Sequence, residues 1–405
     1  MKGRAAQREG AAVAAAVTKK PNFRWGLLLA GALGFCVPLM AAVLPEDRTD
    51  VLYHSYTGGG LTVNGPSILA RKQVGKFLSL WGNYYVDSIT SATIDVVTAA
   101  SQYTERRVEK TLGADFLHNK STISLAYTNS EENDFVADTL NFGISQSMFG
   151  DLTTVSLGYS RGWDTIGATG DPSYEKKADR QSYRVGLSQV LTKNLLVGLD
   201  FETITDEGSL NNPYRFTRYL DSSQATGFSF DKEEYPRTHT SEALAIRALY
   251  YLPYRAAIKG EYRFFTDTWG INASNYEIAY THPYKSHWTF EVKYRHYGQG
   301  HADFYRDLFS RQAEFTYYGR DKELSSYTTQ TFGLGASYTF AEHGWGFIDK
   351  GSLNLYYDHI QFNYRDFRDL SVYNDPVHPF TGGAGNEPLY GFSADVLRAF
   401  VSLWY

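Results

Sequence analysis

The sequence predicts an all-β protein: a closed, antiparallel transmembrane β-barrel of about sixteen strands, with short periplasmic turns and long extracellular loops. Three observations carry this. The composition is rich in Tyr (32), Phe (25) and Gly (36), with only 3 Met and 1 Cys in 405 residues, which is the residue usage of strands and turns. Apolar and polar residues alternate with period two over long segments, so each segment has one apolar and one polar face. The connections alternate between short and long, which is the habit of outer-membrane barrels.

Four segments show the alternation most clearly. In His287–Tyr297 one face reads Trp288, Phe290, Val292, Tyr294 and the other Thr289, Glu291, Lys293, Arg295. In Ala257–Thr266, Ile258, Tyr262 and Phe264 oppose Lys259, Glu261 and Arg263. Val155, Leu157 and Tyr159 alternate with Ser156, Gly158 and Ser160, and Phe332, Leu334, Ala336, Tyr338 and Phe340 with small or hydroxylated neighbours. A soluble sandwich alternates too, with its apolar face inward. Segment length decides for the inverted arrangement, since about 10–14 residues is near the span of a tilted membrane strand.

The elements follow in order. Segment 49–57 ends at Gly58-Gly59-Gly60, an outer turn in which Gly supplies positive φ. Segment 62–74 runs into the inner turn Val74-Gly75-Lys76, and 77–88 leads to the long stretch 89–105. Segments 106–118 and 121–130 flank His118-Asn119-Lys120, and 135–148 and 151–163 flank Phe149-Gly150-Asp151. After the loop 164–178, segments 179–191 and 195–206 flank Thr192-Lys193-Asn194. Beyond the loop 207–236 come 237–252 and 254–267 around Pro253-Tyr254, then 269–281 and 286–298 around Pro283-Tyr284-Lys285-Ser286. The loop 299–326, segments 327–341 and 352–364, the loop 365–389 and segment 390–404 complete the chain. The even count of sixteen returns both ends to the periplasmic side, and closure removes the sheet edge that lipid could not satisfy.

Aromatics near strand ends suit interfacial girdles: Tyr84, Tyr85, Trp163, Tyr183, Tyr250, Tyr251, Trp269, Trp288 and Trp404. Residues 1–42 read as a signal peptide and 43–405 as the barrel. Lys2, Arg4, Arg8, Lys19, Lys20 and Arg24 precede the uncharged run 25–44, with Pro38 and the small pair Ala41-Ala42 at its end. An uncleaved anchor is the other reading of that run. Cys36 lies inside it, so the mature chain offers no thiol for a disulfide, a nucleophile or a metal. The net charge of -5 argues against nucleic acid as a partner.

Several stretches resemble one bacterial outer-membrane family. They are Glu46-Asp47-Arg48-Thr49-Asp50-Val51-Leu52-Tyr53, Gly65-Pro66-Ser67, Asn83-Tyr84-Tyr85-Val86-Asp87 and Thr128-Asn129-Ser130-Glu131-Glu132-Asn133-Asp134. Gly158-Tyr159-Ser160-Arg161-Gly162-Trp163-Asp164 and Arg320-Asp321-Lys322-Glu323-Leu324-Ser325 add to them. The family is catalogued as domain of unknown function 3570. The resemblance spans essentially the whole mature chain and implies an outer-membrane barrel with no established activity or catalytic residues. It also implies an association with a small lipoprotein and a periplasmic flavin-transferring, redox-related protein.

The richest chemistry lies on the polar faces between 237 and 298. Arg247, Lys259, Glu261, Arg263, Glu277, Glu291, Lys293 and Arg295 should all point inward as pore-lining candidates. They guide a solute in one reading and form a stiffening ion-pair lattice in the other. Leu397, Ala399, Val401, Leu403 and Tyr405 share one face of the last segment, in the form of a C-terminal signal for the barrel assembly machinery. His301, Asp303 and Asp307, with Asp366, Asp369 and Asp375, put oxygen ligands in loops without a recognised metal-binding spacing. Asp358-His359 cannot work as a pair, because adjacent strand residues face opposite sides. Asn119-Lys120-Ser121 reads as a turn and not as a glycosylation site. No catalytic constellation, cofactor or metal is expected. Three functions remain: a channel or conduit for a small polar or charged solute; a non-conducting scaffold that docks a lipoprotein or periplasmic redox partner; and, least favoured, a membrane-embedded hydrolase.

Overall fold

The computed structural model describes residues 43–91, 103–341, 344–375, 377 and 380–405. The expected signal peptide, its cleavage point and Cys36 lie outside the described residues. In chain order the first strands are β1 (Arg48–Gly58), β2 (Leu61–Val74), β3 (Leu78–Ser91), β4 (Tyr103–His118), β5 (Ser121–Glu131) and β6 (Phe135–Met148). Then come β7 (Thr153–Ile166), β8 (Lys176–Thr192), β9 (Leu195–Gly208), β10 (Phe216–Leu220), β11 (Phe228–Lys232) and β12 (Thr238–Tyr251). The chain finishes with β13 (Ala257–Asp267), β14 (Asn272–Tyr284), β15 (Trp288–Gln299), β16 (Tyr327–Phe340), β17 (Lys350–Arg368) and β18 (Leu389–Trp404).

All strands except β10 and β11 form one closed barrel, each antiparallel to its neighbours, with β1 paired to β18 at the seam. The sixteen barrel strands coincide with the sixteen expected segments, displaced by a few residues at their ends. Among the described residues no helix is long and apolar enough to cross a membrane.

The faces are inverted relative to a soluble protein. Leu244 and Ile246 on β12, Tyr262 and Phe264 on β13, Ile278 on β14, Phe290 and Val292 on β15, and Leu353 and Leu355 on β17 are all exposed on the outside. On β16, Phe332 and Leu334 are 58% and 60% exposed. A soluble monomer rarely tolerates a contiguous apolar surface above a few hundred Å², and this one runs round the cylinder. It is the belt of a transmembrane barrel.

Turn chemistry follows the sequence. Gly59 (φ 58) and Gly60 (φ 78) make the β1–β2 turn in the left-handed region, and Asn119 (φ 54) does the same between β4 and β5. The short-inner, long-outer rule has exceptions. The outer connections 132–134 and 268–271 are short, and the inner connection 341–349 is the longest on its side. One irregularity sits in the β2–β3 ladder, whose pairing passes from Asn64↔Ser88 to Ser67↔Tyr85 and skips Gly65 and Pro66. Pro66 has no N–H to give. Gly65 comes so close to β3 that a Cβ there would lie 1.9 Å from the Val86 carbonyl oxygen.

The seam is pinned by the last residue. The Tyr405 hydroxyl donates to the Arg71 carbonyl (3.2 Å) and lies 3.2 Å from Thr49 Oγ1. Its backbone N–H donates to the Asp47 carbonyl (3.3 Å), and the Lys72 ammonium sits 4.9 Å from its ring centroid. Tyr405→Ala removes the hydroxyl and ring contacts, a loss of about 1–2 kcal/mol. The expected result is a lower temperature for the loss of heat-modifiable gel mobility, with folding still possible.

Candidate functional site

Residues that share a face on neighbouring strands meet inside the barrel. All eight pore-lining candidates lie on the inward phase, opposite the apolar belt. Arg247 bridges Glu261 (2.8 Å) and Asp200. Lys259 reaches Glu277 (3.2 Å), and Arg263 reaches Glu202 (3.2 Å). Lys293 pairs with Asp358 (2.9 Å). Arg295 donates to Asn275, and Glu291 accepts from the Thr281 hydroxyl (3.4 Å). The side chains of Arg247, Lys259 and Arg263 keep 44%, 45% and 41% exposure while paired. Charges that exposed on an inner wall border space wide enough for water.

The inner lattice is larger than the segment 237–298 indicated. Glu202 also takes Arg184 (2.6 Å), and Asp358 takes Arg398 (2.7 Å) as well as Lys293. His239 sits between Asp267 (3.1 Å) and Asp206 (3.3 Å). Across the barrel, Asp87 holds Arg107 and His54, with His54 Nε2 at 2.7 Å, and His54 stacks on Tyr85 at 4.8 Å. Arg71 holds Asp115 near the seam. The same alternation, followed through β1–β4 and β8–β9, would have found these residues.

Four girdle assignments are corrected. Tyr85 faces inward, with its hydroxyl 3.0 Å from His54 Nε2, because it occupies the polar phase of β3. Trp269 lies in the turn between β13 and β14 and packs edge-on against Tyr235 and Phe304, so it serves the loops and not the lipid boundary. Tyr84, Trp163, Tyr183, Tyr250 and Trp288 are exposed on the outside, whereas Tyr251 shares the inward phase of Arg247 at the end of β12. Trp404 lies on the inward phase of β18, opposite to Leu397, in register with Lys350, whose ammonium sits 4.4 Å from its ring centroid.

Above the lattice, the inner wall of β12–β18 changes character. Ala243, Phe265, Ala273, Ile360, Phe362, Ala394 and Val396 form a buried apolar cluster with Tyr235, Ala302, Tyr305, Leu324 and Phe367 from the loop end. Three loops therefore fold into the mouth over this side: 209–237, 300–326 and 369–388. The first carries the β10–β11 hairpin, within the stretch 207–236 expected to be loop. Backbone bonds stitch it to the second, with Leu220 N–H to Phe309 O (2.9 Å) and Tyr318 N–H to Glu234 O (2.8 Å).

Arg218 of β10 joins all three. It is fully buried and gives two hydrogen bonds to Glu387 (2.6 and 3.0 Å), also fully buried, and others to Asp307. Asp307 also takes Arg320 (3.0 Å), whose guanidinium lies 4.3 Å from the Phe367 ring centroid. Burial pushes the Glu387 carboxyl up, but the Arg218 bond and charge outweigh it and hold it below the usual range. Burial, then the Glu387 bond, pushes the Tyr373 hydroxyl up to about 12.

A lowered folded value means that Glu387 contributes stability above the unfolded carboxylate value of about 4.3, and that this is lost as pH falls through the folded value. Hydrogen-exchange protection of β10 and β11 should therefore stay level between about pH 8 and 5 and fall below about pH 4. Glu387→Gln should remove the acid-induced step attributable to this carboxylate.

The remaining sequence candidates have structural partners or none. Asp366 accepts from Ser326 N–H (2.8 Å), Asp369 from Ser371 N–H (2.8 Å), and Asp375 from Val377 N–H (2.8 Å). His301 Nδ1 lies against the Ala302 carbonyl (2.9 Å). Among the described residues no group of three or more His, Cys, Asp or Glu could hold a metal ion. Asp358 faces the interior and His359 the exterior, where His359 pairs with Asp395 (2.8 Å). In β18, Leu397 is exposed on the outer face, and Ala399, Val401 and Leu403 share its phase.

Comparison with solved structures finds outer-membrane barrels. A bacterial polysaccharide outer membrane secretin is 7% identical, with 90% of this chain and 99% of that one covered, at a TM-score of 0.46. The siderophore receptor PirA from Pseudomonas aeruginosa is 10% identical over 80% of this chain, which spans only 60% of that receptor, at 0.41. The CymD monoaromatic hydrocarbon channel is 9% identical, covering 93% and 92%, at 0.42. No curated protein matches the chain. A family model described as "Protein of unknown function (DUF3570)" matches residues 99–184 and 172–359. With its closed sixteen-strand barrel and a match over more than half its length, the chain belongs to this DUF3570 family.

Proposed function

We propose that this protein is an integral outer-membrane conduit for small polar or charged solutes. Residues 1–42 are removed on export, the termini lie in the periplasm, and the long loops face outside. One observation supports the conduit above the others: the inner wall carries ion-paired yet solvent-exposed charges, with Arg247, Lys259 and Arg263 each above 40% exposed. Sixteen strands make a cylinder wide enough for an aqueous lumen. Charges of both signs across that lumen bind a passing ion weakly at several places, as conduction requires. The barrel is a conduit and not an enzyme in this reading, and it uses no cofactor.

Purified barrel in planar bilayers should give discrete current steps. Folded protein that never conducts, with or without its cap loosened, would defeat the proposal. Charge reversal at Lys293 and Arg295 should shift ion selectivity, and unchanged selectivity would remove those two from the path.

The cap favours a second reading, a non-conducting scaffold. Phe367 and Arg218 are completely buried among the mouth loops, so the outer entrance is narrowed on the β12–β18 side. Such a scaffold would dock a lipoprotein or periplasmic redox partner on its short inner turns. Pull-down of such a partner by a barrel without conductance would favour it. In either reading the outward phase of β18, from Leu397 to Tyr405, is what the assembly machinery recognises.

A further inference from the structure

The turn 268–271 and the loop 300–326, with Pro236, flank a half-open cleft of about 350 Å³ on the loop-bearing end. Trp269, Phe304, Phe315 and Tyr317 line it, together with Asp303 and Arg306. We propose that this cleft binds a neutral saccharide. Its opening to the outside rests on the orientation given above, and its chemistry is independent of conduction.

The aromatic rings have no membrane explanation, because they stand among loops and not on the apolar belt. Nor are they ordinary core. Phe315 and Tyr317 are 50% and 42% exposed, yet they surround a hollow. The hollow is held in shape. The Trp269 indole N–H donates to the Thr238 carbonyl (3.1 Å), and its ring meets Phe304 edge-on at 5.2 Å. The Asp303 N–H donates to the Trp269 carbonyl (2.8 Å), so the tryptophan and the carboxylate move together. Arg306 donates to the Tyr305 carbonyl (2.6 Å) and lies 6.0 Å from the Phe315 ring centroid.

The polar groups select the ligand. The Asp303 carboxylate is exposed and accepts no hydrogen bond among the described residues, in contrast to Asp307, Asp366 and Asp369 in the same loop cluster. An apolar occupant would strip water from this carboxylate without replacing it, at a cost. An anion is opposed by Asp303, and a cation by Arg306. A sugar ring satisfies every demand. Its C–H face stacks on the aromatic rings, one hydroxyl donates to Asp303, and a neighbouring hydroxyl accepts from Arg306. The volume is that of a small-ligand site, sufficient for a short saccharide.

The test uses the full barrel, purified in a zwitterionic detergent so that no sugar headgroup competes. Saturation-transfer NMR is recorded with maltotriose, lactose and N,N′-diacetylchitobiose, and with choline as the cationic control. At least one sugar should bind saturably, and Asp303→Ala and Phe315→Ala should each weaken it tenfold or more. Heat-modifiable mobility and single-channel current should be unchanged in both variants, which separates this site from the conduit. No transfer to any of the three sugars, equal binding by the variants, or choline binding more tightly than every sugar would each overturn the proposal.

Discussion

Arg218→Met will release the mouth loops while leaving the barrel closed. Arg218 pairs with the carboxylates of both Glu387 and Asp307, and neither its side chain nor that of Glu387 is exposed. Removing it leaves the buried Glu387 carboxylate without its cation, while Asp307 keeps Arg320, and this costs about 3–5 kcal/mol, far more than the pair contributes relative to an apolar replacement. The Glu387 carboxyl then shifts upward, since burial is the largest influence on it and is opposed only by its hydrogen bonds from Tyr373 and the backbone. The strand ladders do not depend on this contact, so heat-modifiable mobility should persist. Limited proteolysis should cut within 209–237 and 300–326 at least tenfold faster, and open-state current should rise if the cap obstructs the lumen. The double change Arg218→Met and Glu387→Gln should recover much of the protease resistance, because it removes the stranded charge as well and leaves the Arg320–Asp307 pair intact. Loops as resistant in Arg218→Met as in the parent would show that the apolar cluster, and not the ionic junction, holds the cap.

Arg247→Glu combined with Arg263→Glu should turn the conduit toward cations. In the lattice of β8, β9 and β12–β14, Arg184, Arg247, Lys259 and Arg263 balance Asp200, Glu202, Glu261 and Glu277. Reversing two of the four cations leaves two positive charges against six negative ones. The field in a narrow, low-dielectric channel responds strongly to such a change, by a factor of about ten or more in local ion concentration. The reversal potential in a salt gradient reads it directly. Stability should change little, because exposed ion pairs contribute only about 0–1 kcal/mol each. A permeability ratio equal to the parent's would mean that ions do not pass along this wall.

The barrel was legible because period two is a local property. The runs around Trp288–Tyr294 and Phe332–Phe340 state their phase in the sequence, and the sixteen strands follow from such runs and the turns between them. The inner position of Lys293 and Arg295 followed from the same phase. Position alone misled for Tyr85, since an aromatic near a strand end suits a girdle unless its parity is checked against its neighbours. The cap was not legible. Arg218 and Glu387 are 169 residues apart, and nothing local in either segment announces the other. The apolar inner positions Phe265, Ile360 and Phe362 were the available sign. Greasy residues on a face otherwise facing water require something to cover them, and the loops supply it.

The distance along the chain between Arg218 and its acceptors also sets an order of events. Its partners sit in connections on either side of β16 and β17, so they can converge only after those two strands have been laid down between them. A newly inserted molecule thus passes through a wide-mouthed stage, and the entrance tightens as the final maturation step. If the barrel conducts as proposed, molecules caught before the cap closes should pass more current than finished ones, and the lag between the two would time that closure.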